Sequence, residues 1–512
     1  MTNAESTPAT DSIARRDEHK LRHGRLGALA IAFFVVSAVA PLTGMAGGAP
    51  FAMLLGAGHG VPATYLVVTV LMLVFSVGYV AMARHHTSTG AFYSYVARAL
   101  GGYAGGAAAW IALVGYNTMQ IGLYGLWGVI SAAFLSVAFG WTVQWYVMAF
   151  IAIAVIAVFG YRQIDLSLKV LSVLVACEFL IVMAFDLLVL IQGGSGGKGG
   201  LDMSSFSWDA LAHGGASPAI GLLFAAASFV GFEATTIYSE EAHEPEKTVP
   251  RATYIAVLTI GVFFMITSWL MVNAYGDNKT LVPFIGGDPS VGGLPAPTDF
   301  LFAMATPYLG DFLVGKVMLF LFASSLFAAL LAFHNAVARY AYALGREGLV
   351  PEQLGKTHAA HLSPHMGSLS QSVLATLVVA YFWISDKSPD LQLFPWLTQL
   401  GTLAITYLMT LSAIAVLVFF QRHKDLEPNL WKSTLAPAIS AIGLGWLSVY
   451  ATSQFKFLTG ASTAVTVTLV GLIPLAVVIG LISAAVLKGR EPAAFKAMGR
   501  HRALQLHEPG LD

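Results

Sequence analysis

The chain has 512 residues, of which 57% are hydrophobic and only 11% charged, with a mean hydropathy of +0.72. Ordinary soluble domains carry about 25% charged residues, so this composition excludes a soluble globular domain. The 27 basic and 27 acidic residues cancel, so net charge points to no partner and no nucleic acid is expected; a single cysteine, Cys177, rules out an intrachain disulfide.

In chain order, residues 1–25 are polar and charged with no short apolar core, which predicts a solvated tail and no removable signal peptide. A spanning helix needs about 20 mostly apolar residues. Twelve segments meet that need: 26–56, 62–83, 103–136, 142–162, 166–192, 217–239, 252–275, 313–344, 370–386, 393–420, 436–454 and 462–487. The first contains Pro41, Gly44, Gly47 and Gly48, which remove a backbone donor and weaken the turns after it. The third carries Tyr116, Asn117, Gln120, Tyr124 and Trp127 as a polar-aromatic stripe at helical spacing; Asn117 and Gln120 either line a pocket or hydrogen-bond between helices. The fifth holds Glu178 and Asp186, the latter eight residues further outward, about 12 Å along a helix, and expected at the interface. The Gly-rich stretch 193–200 forms an outer loop. It contains G-x-S-x-G, but no strand precedes it, and it misses the P-loop pattern at Gln192 and Gly199. The sixth segment runs through Ser228-Phe229-Val230-Gly231-Phe232-Glu233, placing a glycine and an acid where hydrocarbon is expected. In the eighth, His334 and Asn335 are expected to pack near the cytoplasmic end, and Trp141, Trp145 and Trp396 suit interfacial belts.

With the N-terminus inside and each segment crossing once, 22 of the 27 Lys and Arg fall on inner segments; Lys198, Lys279, Lys316, Lys387 and Lys456 fall outside. The positive-inside rule predicts this asymmetry. Both termini are therefore expected in the cytoplasm of a multi-pass protein of the cytoplasmic membrane.

Breaks in the first and sixth segments are corresponding positions if segments 1–5 and 6–10 are repeats. Paired Gly/Pro-interrupted segments are the best sequence pointer to a transporter binding site. Half-helix N-termini there attract a substrate carboxylate, and unwound carbonyls face an amine or ion. The alternative for Gly44, Gly47 and Gly48 is close helix packing. On this basis the substrate-site candidates are Thr43, Gly44, Met45, Ala46, Gly47, Asn117, Gln120, Phe229, Gly231 and Phe232, the two phenylalanines acting as gates or as packing. Glu233 suits gating or proton coupling, against a structural hydrogen-bonding role. Three roles fit Glu178: pairing with a cationic substrate, binding a cation, or capping the first break.

Four motifs carry a family resemblance. Phe229-x-Gly231-Phe232-Glu233 resembles F-x-G-F-E; Glu240-Glu241 with Pro245-x-Lys247-Thr248-Val249-Pro250-Arg251 resembles E-E…N-P-x-K-x-I-P-R, with Glu244 for the usual Asn. Asn335-Ala336-x-x-Arg339 running on to Gly345-Arg346-Glu347-Gly348-x-x-Pro351, and Thr89-Gly90-Ala91-Phe92-Tyr93-Ser94-Tyr95, resemble two further conserved stretches. The chain thus resembles the amino acid–polyamine–organocation (APC) transporter superfamily, in the manner of a bacterial amino acid permease. The resemblance implies an all-α integral membrane fold of 12 transmembrane helices, a LeuT-like five-plus-five inverted repeat with helices 1 and 6 broken, and alternating access without ATP. The expected organisation is a tail (1–25), a first repeat (26–192), an outer loop (193–216), a second repeat (217–420), two further helices (436–487) and a C-terminal tail (488–512). The usual G-S-G of the first helix is replaced by Thr43-Gly44-Met45-Ala46-Gly47-Gly48. The position where some proton-coupled relatives hold a lysine is Glu178.

The expected function is a secondary active permease for amino acids, proton-coupled or exchanging, with a polyamine or small-amine importer (putrescine, ethanolamine) as the alternative. Its partners are then a small-molecule substrate, a coupling proton and the lipid bilayer. No cofactor or metal is expected, and no enzyme activity: there is no H-E-x-x-H, and the fourteen histidines lie mostly in tails and loops.

Overall fold

The computed structural model describes residues 27–85, 91–162, 168–195, 200–237, 242–358, 361, 363–460 and 462–499. The tail before residue 27, Thr89-Gly90, Lys198, Glu240-Glu241 and the residues after 499 lie outside the described residues. Among the described residues the regular structure is helical, and ten helical runs are long and apolar enough to cross a bilayer.

The first predicted segment is split in two. Helix α1 (Ala28–Val39) stops at Ala40, which has φ 54°. A residue before proline is pushed out of the helical region, and Pro41 brings no N–H, so the chain cannot continue the same helix. Proline is well suited to open a new one, and α2 (41–57) begins there, containing two stretches of wider π-helical turns at Thr43–Gly48 and Ala52–Ala57. Gly56 and Gly58 depart from helical geometry and separate α2 from α3 (Val61–Ala83). The run Thr43–Ala83 has 41 residues. At 1.5 Å per residue that is about 60 Å, twice a hydrocarbon core of about 30 Å, so one straight crossing cannot hold it.

The chain continues through α4 (Ala91–Leu100), α5 (Gly102–Phe139), α6 (Trp145–Arg162) and α7 (Leu168–Gln192). A loop follows, docked on a later helix by Asn273, whose Oδ1 accepts the Asp202 N–H at 2.6 Å, and by Trp269, whose indole donates to the Asp202 carbonyl at 2.7 Å. Next come α8 (Pro218–Ala227), a non-helical stretch at 228–233, α9 (Ala234–Ile237) and α10 (Pro245–Tyr275). The remaining long helices are α11 (Leu313–Glu347), α12 (His365–Ile384), α13 (Pro389–Arg422), α14 (Trp431–Thr459) and α15 (Thr463–Arg490).

Helix α5 is central. It packs against α4, α6, α11, α13 and α15. Small residues permit its closest approach: a Cβ on Gly401 of α13 would lie 2.7 Å from the Gly115 carbonyl oxygen, and one on Gly122 would lie 2.9 Å from the Thr398 nitrogen. Backbone contact of this kind is how helices associate in lipid, where no hydrophobic drive separates them from the solvent. Large apolar side chains such as Leu180, Ile442 and Val449 are exposed on the outer surface, as a lipid-facing surface requires and a water-facing one penalises. Asp186 is buried: Thr267 Oγ1 of α10 donates to its Oδ2 at 2.7 Å. Trp396 is buried as well, packed on Phe382 with the Lys387 ammonium 5.9 Å from its ring centroid.

Candidate substrate site between two broken helices

At the first break, Pro41 leaves the early N–H groups of α2 without helical acceptors. The Leu42 N–H points at Glu178 Oε2 on α7, 3.5 Å away. Ser325 Oγ of α11 donates to the same oxygen at 2.7 Å, and Thr43 Oγ1 donates to Ser325 Oγ at 3.1 Å. Glu178 is 1% exposed and forms no ion pair among the described residues. Of its three sequence-level roles, the geometry matches capping of the break.

At the second break, the N–H groups of Ser228, Phe229 and Val230 turn to the carbonyls three residues back, at 3.0–3.2 Å. Gly231 then adopts φ 109°, a conformation rarely open to residues with a Cβ. Its N–H donates to Glu233 Oε2 at 2.9 Å, and Tyr116 O–H of α5 donates to Glu233 Oε1. The Glu233 carbonyl accepts from Thr236 Oγ1 at 2.9 Å and Tyr79 O–H of α3 at 3.2 Å. Glu233 therefore clamps the break by side chain and backbone together, and is buried.

A cavity of about 60 Å3 lies between the breaks. Gly44 and Ser228 bring both breaks to its wall; Met119 of α5, Phe333 of α11, and Thr398 and Gln399 of α13 close it. None of its lining residues is charged. Buried carboxylates at membrane depth need partners, and Glu178 and Glu233 find theirs behind the wall rather than on it.

The sequence candidates separate accordingly. Thr43 and Gly44 line the cavity. Met45, Ala46 and Gly47 are buried but do not line it, and a Cβ on Gly47 would sit 2.9 Å from Leu126. Gly44 serves packing as well: a Cβ there would be 2.3 Å from the Phe264 ring. Gly231 shapes the second break without lining the cavity. Phe229 is buried off the wall, and Phe232 packs edge-on to Phe75 at 6.0 Å. Asn117 donates to its own helix at the Leu113 carbonyl, 2.6 Å. Gln120 joins a buried network instead: its Nε2 lies 3.2 Å from His334 Nδ1, it accepts from Gln371 Nε2, and His334 Nε2 lies 2.7 Å from Ser368 Oγ. His334 thus ties α5, α11 and α12 together.

Sequence reasoning did not single out Met119, Ser228, Phe333, Thr398 or Gln399 as wall residues. Gln399 carried a usable signal, an amide inside an apolar span, the same signal that drew notice to Asn117.

A sequence profile of the Amino acid permease family matches residues 26–482. Among curated proteins, the chain is 22% identical over 396 residues to the low-affinity putrescine importer PlaP of Escherichia coli (strain K12), covering 77% of this chain and 81% of that protein. It is 28% identical over 235 residues to the branched-chain amino acid permease BcaP of Lactococcus lactis, covering 45% and 44%. Among solved structures, an Eremococcus coleocola manganese transporter mutant matches with a TM-score of 0.55 at 11% identity, over 92% of this chain and 97% of that one, a likeness of fold alone. A family match over most of the chain, with ten membrane-length helices among the described residues and a cavity between two helix breaks, leads to one conclusion: the chain belongs to the Amino acid permease family, a family of membrane transporters.

Proposed function

We propose that the protein is a secondary active transporter moving amino acids across the cytoplasmic membrane by alternating access. The carrying observation is the uncharged cavity bounded by both helix breaks. In this reading α1 with α2, and α8 with α9, are the broken first and sixth of twelve transmembrane helices, arranged as a five-plus-five inverted repeat with both termini cytoplasmic. The N-terminal end of α2 reaches the cavity at Thr43 and Gly44 and offers partial positive charge to a substrate carboxylate. The C-terminal end of α8 reaches it at Ser228 and offers partial negative charge to an ammonium. Met119 and Phe333 give the side chain an apolar surround.

Glu233 is the proposed coupling group. A tyrosine hydroxyl both donates and accepts, so Tyr116 donates to the carboxylate and, by turning its O–H, accepts from the protonated acid. The Gly231 N–H keeps its acceptor at Oε2 in both states. The pair thus holds or releases a proton without dismantling the break, and a proton gradient or substrate exchange drives transport.

A second reading, import of putrescine or another small amine, is favoured by the absence of Lys and Arg from the cavity lining and by the likeness to PlaP. Purified protein in proteoliposomes, assayed for uptake of amino acids, putrescine and ethanolamine with and without sodium and a pH gradient, tests both. Uptake of at least one class that is abolished by collapsing the pH gradient or by removing internal exchange substrate supports the account. No uptake of any of them refutes it.

A further inference from the structure

We propose that Gln399 of α13 is a side-chain contact that recognises the substrate's ammonium group through its carbonyl oxygen, alongside the C-terminal end of α8. The proposal rests on the cavity being the transport site and deepens that reading.

Four wall residues carry polar side chains: Thr43, Ser228, Thr398 and Gln399. Three are already engaged. Thr43 donates to Ser325 at 3.1 Å; Ser228 Oγ lies 3.3 Å from Tyr65 O–H and within reach of the Phe224 carbonyl at 3.5 Å; Thr398 donates to the Phe394 carbonyl at 2.7 Å. Gln399 is different. It is 1% exposed, lines the cavity, and its Oε1 has no hydrogen-bond partner among the described residues. Buried polar atoms are almost always paired; this oxygen is sealed within the wall, and a half-turn of the amide exchanges it with Nε2, so that a ligand bringing a donor to the cavity satisfies it.

The chemistry of that partner follows from the wall. An unpartnered carbonyl oxygen calls for a donor, and an ammonium group brings three. Phe224, Phe333 and Phe394 also line the cavity, and aromatic side chains attract a cation that comes within about 6 Å of a ring face. The acids near the breaks do not compete for it, since Glu178 caps α2 and Glu233 is held by Gly231 and Tyr116. A neutral acceptor among aromatic side chains suits a primary aliphatic ammonium, as in an amino acid or an alkyl amine. The position of Gln399 is fixed by the backbone contact of α13 with α5 at Gly401 and Thr398.

The test measures binding to purified full-length protein with four probes: leucine, putrescine, butylamine (amine only) and 4-methylpentanoate (acid only). Gln399→Met keeps the length of the side chain and removes the acceptor. It is expected to weaken the amine-bearing probes that wild type binds by about 10- to 100-fold, the range for one hydrogen bond to a charged group, and to leave any 4-methylpentanoate binding unchanged. Gln399→Glu retains an acceptor and adds charge, so it is expected to bind putrescine at least as tightly as wild type. Should Gln399→Met fail to fold, as judged by its melting profile, Gln399→Glu decides alone: retained or tighter amine binding supports the proposal, and its loss overturns it. Wild-type amine affinity in folded Gln399→Met, or a loss confined to 4-methylpentanoate, overturns this proposal while leaving the transport-site reading intact. Failure of wild type to bind any of the four overturns the transport-site reading and this inference with it.

Discussion

Removing the Glu233 carboxylate strips two buried donors of their acceptor, the Gly231 N–H at 2.9 Å and the Tyr116 O–H. An orphaned buried donor costs about 1–3 kcal/mol, while measured interhelical hydrogen bonds in membranes average about 0.6 kcal/mol with a ceiling near 1.7 kcal/mol. Glu233→Ala is therefore expected to destabilise the protein by about 2–4 kcal/mol, weighting the backbone donor towards the first range and the tyrosine towards the second. Glu233→Gln behaves differently: its Oε1 accepts from Gly231 and its Nε2 donates to a Tyr116 hydroxyl that turns to accept. The cost is expected to stay below about 1 kcal/mol. Tyr116→Phe alone is expected to cost about 1 kcal/mol and to cost less in a Glu233→Ala background, where the bond the two share is already lost and the bond of Tyr116 with Tyr340 remains. Reversible unfolding in mixed micelles by SDS titration, followed by tryptophan fluorescence, measures all four. Wild-type stability in Glu233→Ala, or equal damage from Ala and Gln, would refute the clamp.

Functionally, Glu233→Gln mimics the protonated acid and is expected to flatten the pH dependence of uptake in proteoliposomes; a wild-type pH profile removes the coupling role. Glu178→Ala is expected to lose stability and Glu178→Gln to keep most of it, because Leu42 and Ser325 need an oxygen rather than a charge; a selective loss of diamine uptake in Glu178→Gln with full stability would instead mark a cation contact. Gly44→Leu drives a side chain into the Phe264 ring, and Gly231→Leu forces a branched residue to φ 109°. Each is expected to cost about 1–3 kcal/mol and to abolish substrate binding, read by thermal shift and ligand titration. In the loop after α7, hydrogen bonds from Ser204 hold the Asp202 carboxyl below its ordinary value. A depressed carboxylate stabilises above its unfolded value and loses that contribution as pH falls through the folded one. Exchange protection at the Ser204 amide, corrected for intrinsic rate, is therefore expected to hold from pH 7 to 5 and to fade only below about pH 4.

The apolar helices were legible because apolar length is a local property: the predicted segments fall on helix among the described residues, apart from a few residues at their ends and the interruptions at Ala40 and at 228–233. The first break was legible for the same reason: Pro41 dictates it through its ring and missing N–H, whatever surrounds it. Rotation about a helix axis was not legible. Successive residues turn by about 100°, so Met119 and Gln120 face different neighbours; the cavity takes the apolar Met119, and Gln120 turns to His334 and Gln371. Polarity in a span marks an inward face but not which inward face. Nor were the packing partners of Asp186 and Trp396 legible: Thr267 and Phe382 lie on other helices, and only the fold brings them together.

The most direct test of the central claim uses the single native cysteine, Cys177, which is exposed. In a Cys177→Ser background, Ser228→Cys places a thiol on the cavity wall, where a small methanethiosulfonate reagent can label it. The account predicts that a saturating transported amino acid or amine slows labelling several-fold while a non-substrate does not. Equal labelling rates with and without every transported compound would contradict a substrate site between the two broken helices.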